Sequence, residues 1–194
     1  MPYESEQGDP KTALCTCMSG KEAGKGLKLL FDGHYLKMHL GGVVDSAQHA
    51  RSGLPVGSEF DYSVERQKEK EAGPIPEGEY WITPSELRSP SLTSPLFLMN
   101  TDSWGHHRIS IHKYPGTNTH GRGGFFIHGG IKFGSKGCID LAGFMSHFVK
   151  RLNELLPPRA VEVPQRVELK APCYVPLTVR YPSRRADMPS WFNK

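Results

Sequence analysis

Apolar residues along this chain fall mostly in short runs that alternate with polar ones, and only one segment changes to a helical period. Leu27-Lys-Leu-Leu-Phe31 and Tyr35-Leu-Lys-Met-His-Leu40 read as two strands of a hairpin. Asp32-Gly33 between them predicts a type I′ turn, which needs positive φ at both central residues. Gly41 to Gly73 reads as loop-rich, with a solvated charge run at Glu65–Glu71. Gly73-Pro-Ile-Pro-Glu-Gly78 predicts a rigid turn feeding a strand at Glu79–Thr83, and an apolar run follows at Pro95–Asn100. Arg108–Lys113 has the period of two expected of a half-buried strand, with Ile109 and Ile111 on one face and Ser110 and His112 on the other. Phe125-Phe-Ile-His128 is apolar almost throughout, as in a strand covered on both faces.

From Leu141 the period lengthens. Phe144, Phe148, Leu152 and Leu155 predict a helix that Asp140 caps and Pro157-Pro158 stops. Short β-prone pieces fill Arg159–Tyr181; Pro176 inside the last of them predicts an edge position or a bulge. The expected organisation is a mobile tail over 1–25, one domain over 26–182 and a second tail over 183–194, with Trp191 and Phe192 packing back. The fold class is mainly β, a β-rich α+β arrangement with one main helix.

Composition narrows the options. At 194 residues with 21 Gly and 16 Pro, the chain suits strands and turns better than a helix bundle. A net charge of +4 favours an anionic partner but is too small and scattered for a nucleic-acid footprint. No apolar run is long enough to span a bilayer, so no membrane insertion is expected. The opening Met1–Pro10 lacks the basic start and apolar core of a secretory signal, so the expectation is synthesis in the cytosol and export by another route. His106, His107 and His112 lack converging partners at ligand spacing, and neither metal nor cofactor is expected. Four cysteines are too few for a disulfide framework. Cys15 and Cys17 read as reduced thiols, or as a pair that oxidises only outside the cell, and Cys173 as a small buried apolar residue.

The chemistry concentrates between His128 and Cys138. A histidine at the end of a buried strand is costly unless its ring nitrogens are paired. A glycine-rich loop (Gly129, Gly130, Gly134, Gly137) then leads to the thiol, and these glycines would leave room for a substrate backbone. Cys138 at a helix mouth would have a depressed pKa, and the amides of Gly137 and Cys138 could hold an oxyanion.

This segment, with Ser135-Lys136-Gly137-Cys138, resembles the signature of the L,D-transpeptidase catalytic domain (YkuD-type), a β-rich sandwich or barrel. The Gly73–Tyr80 turn, the opening hairpin and Pro176–Tyr181 are similar to further parts of it, so that Leu27–Tyr181 is covered. The resemblance implies Cys138 as nucleophile, His128 as general base oriented by a backbone carbonyl, an oxyanion hole at Gly137 and Cys138, and Ser135 stabilising the loop or orienting the histidine. His112, Arg122, Gly129, Gly130 and Lys136 would then line the substrate. Three departures stand out: Lys136 replaces a usual histidine, the His-to-Cys gap is short, and Asp140 stands where a basic residue is common, leaving Arg122 or Lys136 to meet a carboxylate. The short gap and the Gly-Cys-Ile-Asp ending are similar to a branch used as type VI secretion antibacterial effectors. The implied substrate is the peptidoglycan stem tetrapeptide, with a secretion-system carrier and a cognate immunity protein as partners and the target cell's periplasm as the place of action. Carboxypeptidase cleavage and transpeptidase exchange of a D-amino acid both follow from one thioester. The alternatives are another cell-wall thiol amidase or endopeptidase, or a non-catalytic wall-binding domain.

Overall fold

The computed structural model describes residues 9–17, 20–89, 101–156, 161–163, 166–168 and 171–189. Among them the strands are β1 (Ala13–Leu14), β2 (Leu27–Phe31), β3 (Tyr35–Leu40), β4 (Val43–His49), β5 (Arg51–Ser52), β6 (Glu59–Asp61), β7 (Gly78–Ile82), β8 (Arg108–Ser110), β9 (His112–Lys113), β10 (Phe126–His128), β11 (Ile139–Asp140), β12 (Val161–Val163), β13 (Arg166–Glu168), β14 (Cys173–Val179) and β15 (Arg185–Asp187). The Pro95–Asn100 run and the Trp191–Phe192 pair lie outside the described residues.

Alternation builds the larger sheet. Leu27, Leu29 and Phe31 of β2, with Leu36, Met38 and Leu40 of β3, all turn inward and are essentially inaccessible. Tyr80 and Ile82 of β7 and Val175, Leu177 and Val179 of β14 complete that layer. The strand order is β4-β3-β2-β14-β7-β9, an open path rather than a closed barrel, with β1 added beside β14. A second sheet of four strands runs β5-β11-β10-β8. The Arg108–Lys113 alternation divides between the two: β8 pairs with β10 in the smaller sheet and β9 with β7 in the larger, on either side of the buried Ile111.

The hairpin forms as expected, but its turn differs. Gly33 has φ 90°, whereas among the described residues the only non-glycines with positive φ are His120 and Ala142. The turn is held instead by the Asp32 carboxylate, which accepts from the N–H groups of His34 at 2.9 Å and Tyr35 at 2.7 Å. Gly33 is required on a second ground, since a Cβ there would meet the Tyr62 ring at 2.7 Å.

Several expectations are overturned. The Gly41–Gly73 stretch holds β4, β5 and β6, and β4 went unread because this edge strand has no buried face to produce alternation. Pro176 is central rather than at an edge. The Tyr174 carbonyl faces β1, so position 176, two residues on, faces the same way, at the gap between the β1 and β2 registers where no N–H is needed. The expected N-terminal tail is tied down from β1 onward: β1 runs parallel to β14, and Cys15 and Cys17 are buried. Cys15 forms a disulfide with Cys173, which corrects the reading of Cys15 as a reduced thiol and of Cys173 as a plain apolar residue. Residues 185–187 of the expected C-terminal tail form β15, paired with β6.

The main helix, Met145–Leu155, buries Met145, Phe148, Val149, Leu152 and Leu155 against the core. It starts later than expected, after a 3-10 turn over Ala142–Phe144, and Asp140 belongs to β11 instead of capping it. No described helix is long and apolar enough to cross a membrane.

Candidate active site

The register of the smaller sheet decides which side chains meet. Ile109, Ile127 and Ile139 stand level on neighbouring strands and are fully buried on one face. The opposite face therefore carries Arg108, His128 and Asp140, which are also level with one another. Cys138 precedes Ile139, so alternation puts it on the His128 side, one step toward Phe126. The Phe126 backbone hydrogen-bonds its sulfur. Imidazole and thiol thus lie toward one side of the sheet, His128 at the end of β10 and Cys138 immediately before β11, although among the described residues no hydrogen bond joins them.

His128 is 3% exposed, and its Nδ1 lies 2.6 Å from the Gly129 carbonyl oxygen. A carbonyl can only accept, so Nδ1 carries the proton and Nε2 presents a lone pair. Burial, helped by the Arg108 charge, holds the imidazole pKa below its ordinary value and keeps the ring neutral near pH 7. The Trp104 ring, with its centroid at 5.0 Å, packs against it.

Cys138 departs from the helix-mouth reading. A strand follows it, not a helix, and burial pushes its thiol up to about 12 despite the Phe126 bond and the Arg122 and Arg108 charges. The sulfur therefore rests as a protonated thiol at neutral pH. We expect iodoacetamide labelling of Cys138 to rise about tenfold per pH unit through pH 9. Peptide mapping would separate it from the other free thiol, Cys17; a plateau near pH 7 would contradict a protonated resting state.

The loop before Cys138 is anchored on several sides. Ser135 Oγ donates to the Cys138 carbonyl at 2.6 Å, and Ser135 N–H donates to Gly53 O at 3.0 Å. Ser52, which sequence reasoning missed, donates to Gly137 O at 3.3 Å and accepts from Ile75 N–H at 2.8 Å. Asp140 is fully buried; its two oxygens accept from Ala142 N–H at 2.8 Å and Gly134 N–H at 3.0 Å. Burial raises its pKa to about 8 against the pull of those donors.

Arg122 does not stand ready for a substrate carboxylate. Its guanidinium donates to the carbonyls of Gln67 and Pro74 at 2.6 Å each, of Gly73 at 2.8 Å and of Lys136 at 3.3 Å. It fastens the proline-rich turn to the Cys138 loop. A Cβ on Gly137 would meet Arg122 at 2.5 Å and the Phe125 ring at 2.8 Å, so that glycine serves close packing as well as its φ of 116°. Arg122→Met should destabilise the fold by about 3–5 kcal/mol, since it strands buried carbonyls; urea titration measures this, and a loss below about 1 kcal/mol would refute the anchoring role.

The remaining expected substrate contacts divide. Gly129 and Gly130 are tight against Ala142 and Met145 and against Asp102 and Ser103, respectively, so close packing rather than space for a substrate explains them. Lys136 is exposed and pairs with Glu71 at 2.5 Å. His112 lies at a cleft beside the site, stacked on Trp81 and bonded to Glu86. Among the described residues no cluster of three or more His, Cys, Asp or Glu side chains could hold a metal ion.

A thiol and a tautomerically fixed imidazole toward one side of a β-sheet define the class of site. Residues 58–165, more than half of the chain and including both groups, match the Tlde1 domain. The chain belongs to that family, a family of type VI effectors. Among solved structures it is similar to Bdellovibrio bacteriovorus Bd1075, at 16% identity and a TM-score of 0.45, covering 95% of this chain and 57% of that one. It is also similar to Mycobacterium tuberculosis L,D-transpeptidase 1, at 15% identity and 0.41, covering 81% and 63%. For L,D-transpeptidase 3 of that organism, in complex with a faropenem-derived adduct, the figures are 12%, 0.38, 81% and 61%. The chain therefore spans about three fifths of the length of these proteins. No curated protein matches it in sequence.

Proposed function

We propose that this chain is a cell-wall acyl-transfer enzyme acting on peptidoglycan stem tetrapeptides, with Cys138 as nucleophile and His128 as general base. The observation that carries this reading is the Nδ1–Gly129 bond, which leaves a basic Nε2 on the side of the sheet toward which Cys138 lies. His128 takes the thiol proton as the sulfur attacks the carbonyl of the third stem residue. The proton then passes to the departing amine of the terminal D-alanine, leaving a thioester. Water resolves the thioester to a tripeptide, and a free D-amino acid resolves it to an exchanged stem. Amides at Gly137 and Cys138 would face the oxyanion, with Ser135 holding the loop. Mass analysis of muropeptides tests the reading: loss or exchange of the terminal D-alanine supports it, and cleavage at any other bond sinks it.

Delivery by a type VI apparatus into a rival's periplasm, with an immunity protein covering the Cys138 cleft, accords with the family. The Cys15–Cys173 disulfide also suits an oxidising destination. Expression with a periplasmic leader should halt growth and expression without one should not; equal harm from both compartments would count against the proposal.

A further inference from the structure

The His128 imidazole is packed by a segment that comes from outside the loop leading to Cys138. Residues 102–105 dock on the backbone just past His128. The Asp102 carbonyl accepts from Ile131 N–H at 2.8 Å, and a Cβ on Gly105 would meet the Gly129–Gly130 peptide at 2.9 Å. That docking fixes where Trp104 can reach. Its ring centroid stands 5.0 Å from that of His128, and it meets the Phe126 ring edge-on at 5.7 Å.

Arg108 joins the same group. It stands level with His128 across the β8–β10 ladder, and its guanidinium lies over the Trp104 ring at 5.3 Å and the Phe126 ring at 5.6 Å. Ring faces attract a guanidinium and leave its charge intact. Burial and the neighbouring Arg88 charge pull the Arg108 pKa down, but a guanidinium stays protonated at any pH where the site would work. Asp140, Arg122 and Arg108 all act by charge on the Cys138 sulfur, and Arg108 acts on His128 as well. Asp140 is engaged with the Ala142 and Gly134 N–H groups, and Arg122 with backbone carbonyls. Arg108 reaches both ends of the proton transfer. A fixed cation there favours the anion that forms at sulfur and disfavours a second proton on the imidazole. The ring then meets the thiol as a base and gives the proton up readily to a leaving amine.

We propose that Arg108 is a positioning residue for this proton transfer: seated on Trp104 and Phe126, it supplies a permanent positive charge to the side of the sheet on which the sulfur becomes an anion. The S–H bond breaks as the sulfur bonds to the substrate carbonyl carbon. The proton passes to His128 Nε2 and on to the departing amine, and Arg108 neither gains nor loses one. This role rests on the acyl-transfer reading and adds the group that biases the transfer.

The test follows the resting protein and turnover separately. In the full chain and in Arg108→Met, Arg108→Gln and Arg108→Lys, iodoacetamide labelling of Cys138 is measured at pH 9 and the His128 ring is titrated by NMR. Both neutral variants should slow labelling by about threefold or more, because loss of a cation raises the thiol pKa. Mere loosening of the site would do the opposite, since water admitted to a buried thiol lowers its pKa and speeds labelling. The His128 midpoint should rise in both neutral variants, and Arg108→Lys should restore both values. Labelling that is unchanged or faster in the neutral variants overturns the role. In a Trp104→Leu background the Arg108→Met change should slow labelling less; an undiminished effect would remove Trp104 as the seat. With stem tetrapeptide, the neutral variants should lower kcat at pH 6 by about threefold or more at little cost in KM, and the acid limb should move to higher pH. The labelling signature without turnover by the intact chain would leave the charged group standing and remove the acyl-transfer reading. Turnover whose acid limb ignores Arg108 would do the reverse, and absence of both would remove both.

Discussion

Cys138→Ala should abolish D-alanine release, lowering kcat by about 10³-fold or more while the stem peptide still binds. His128→Ala should lose a similar factor, and the double variant little more, because base and nucleophile act as one unit. The pH profile of the intact protein adds a signature. The His128 pKa is held down by burial and by the Arg108 charge, so the active neutral ring should persist below the pH at which an ordinary histidine protonates. The acid limb of kcat/KM should accordingly fall below the usual histidine value, near 6.5. An acid limb well above that value would assign the base to another group. The neutral ring also contributes stability above the unfolded pKa, and that contribution is lost as pH falls through the folded one. Asp140 acts in the opposite sense. Its raised pKa favours the fold at low pH, and the advantage is lost as pH climbs from about 4 to about 8.

The second large effect concerns the Cys15–Cys173 disulfide. It joins positions 158 residues apart, and by loop-closure entropy its reduction should cost up to about 5 kcal/mol. Melting with and without reductant should differ by roughly 10–20 °C, and Cys15→Ser should reproduce the reduced value. A difference below about 3 °C would mean that β1 and its neighbours hold without the crosslink.

The parts of this molecule legible in the sequence are those where burial imposes a period. The hairpin, the apolar β10 and the helix at Phe148–Leu155 each repeat long enough to read. β11 has two residues, too few for any period, so the sequence shows only a helix beginning after Asp140 and sets Cys138 at its mouth. The nearness in the chain of a histidine and a thiol across a glycine loop is legible because order and spacing carry it. The roles of Arg122 and Ser52 were not, because their partners are backbone groups of segments distant in the chain. Cys15 and Cys173 were read singly for the same reason: nothing local connects them.

Ser52, Ser135, Arg122 and Asp140 grip the turn that presents the sulfur from separate directions. A sulfur seated so firmly has little latitude to shift toward an incoming group. On the acyl-transfer proposal, selection would then work by rejection at the doorway, with ill-fitting stems leaving before the bond is strained and few being accommodated by closure around them.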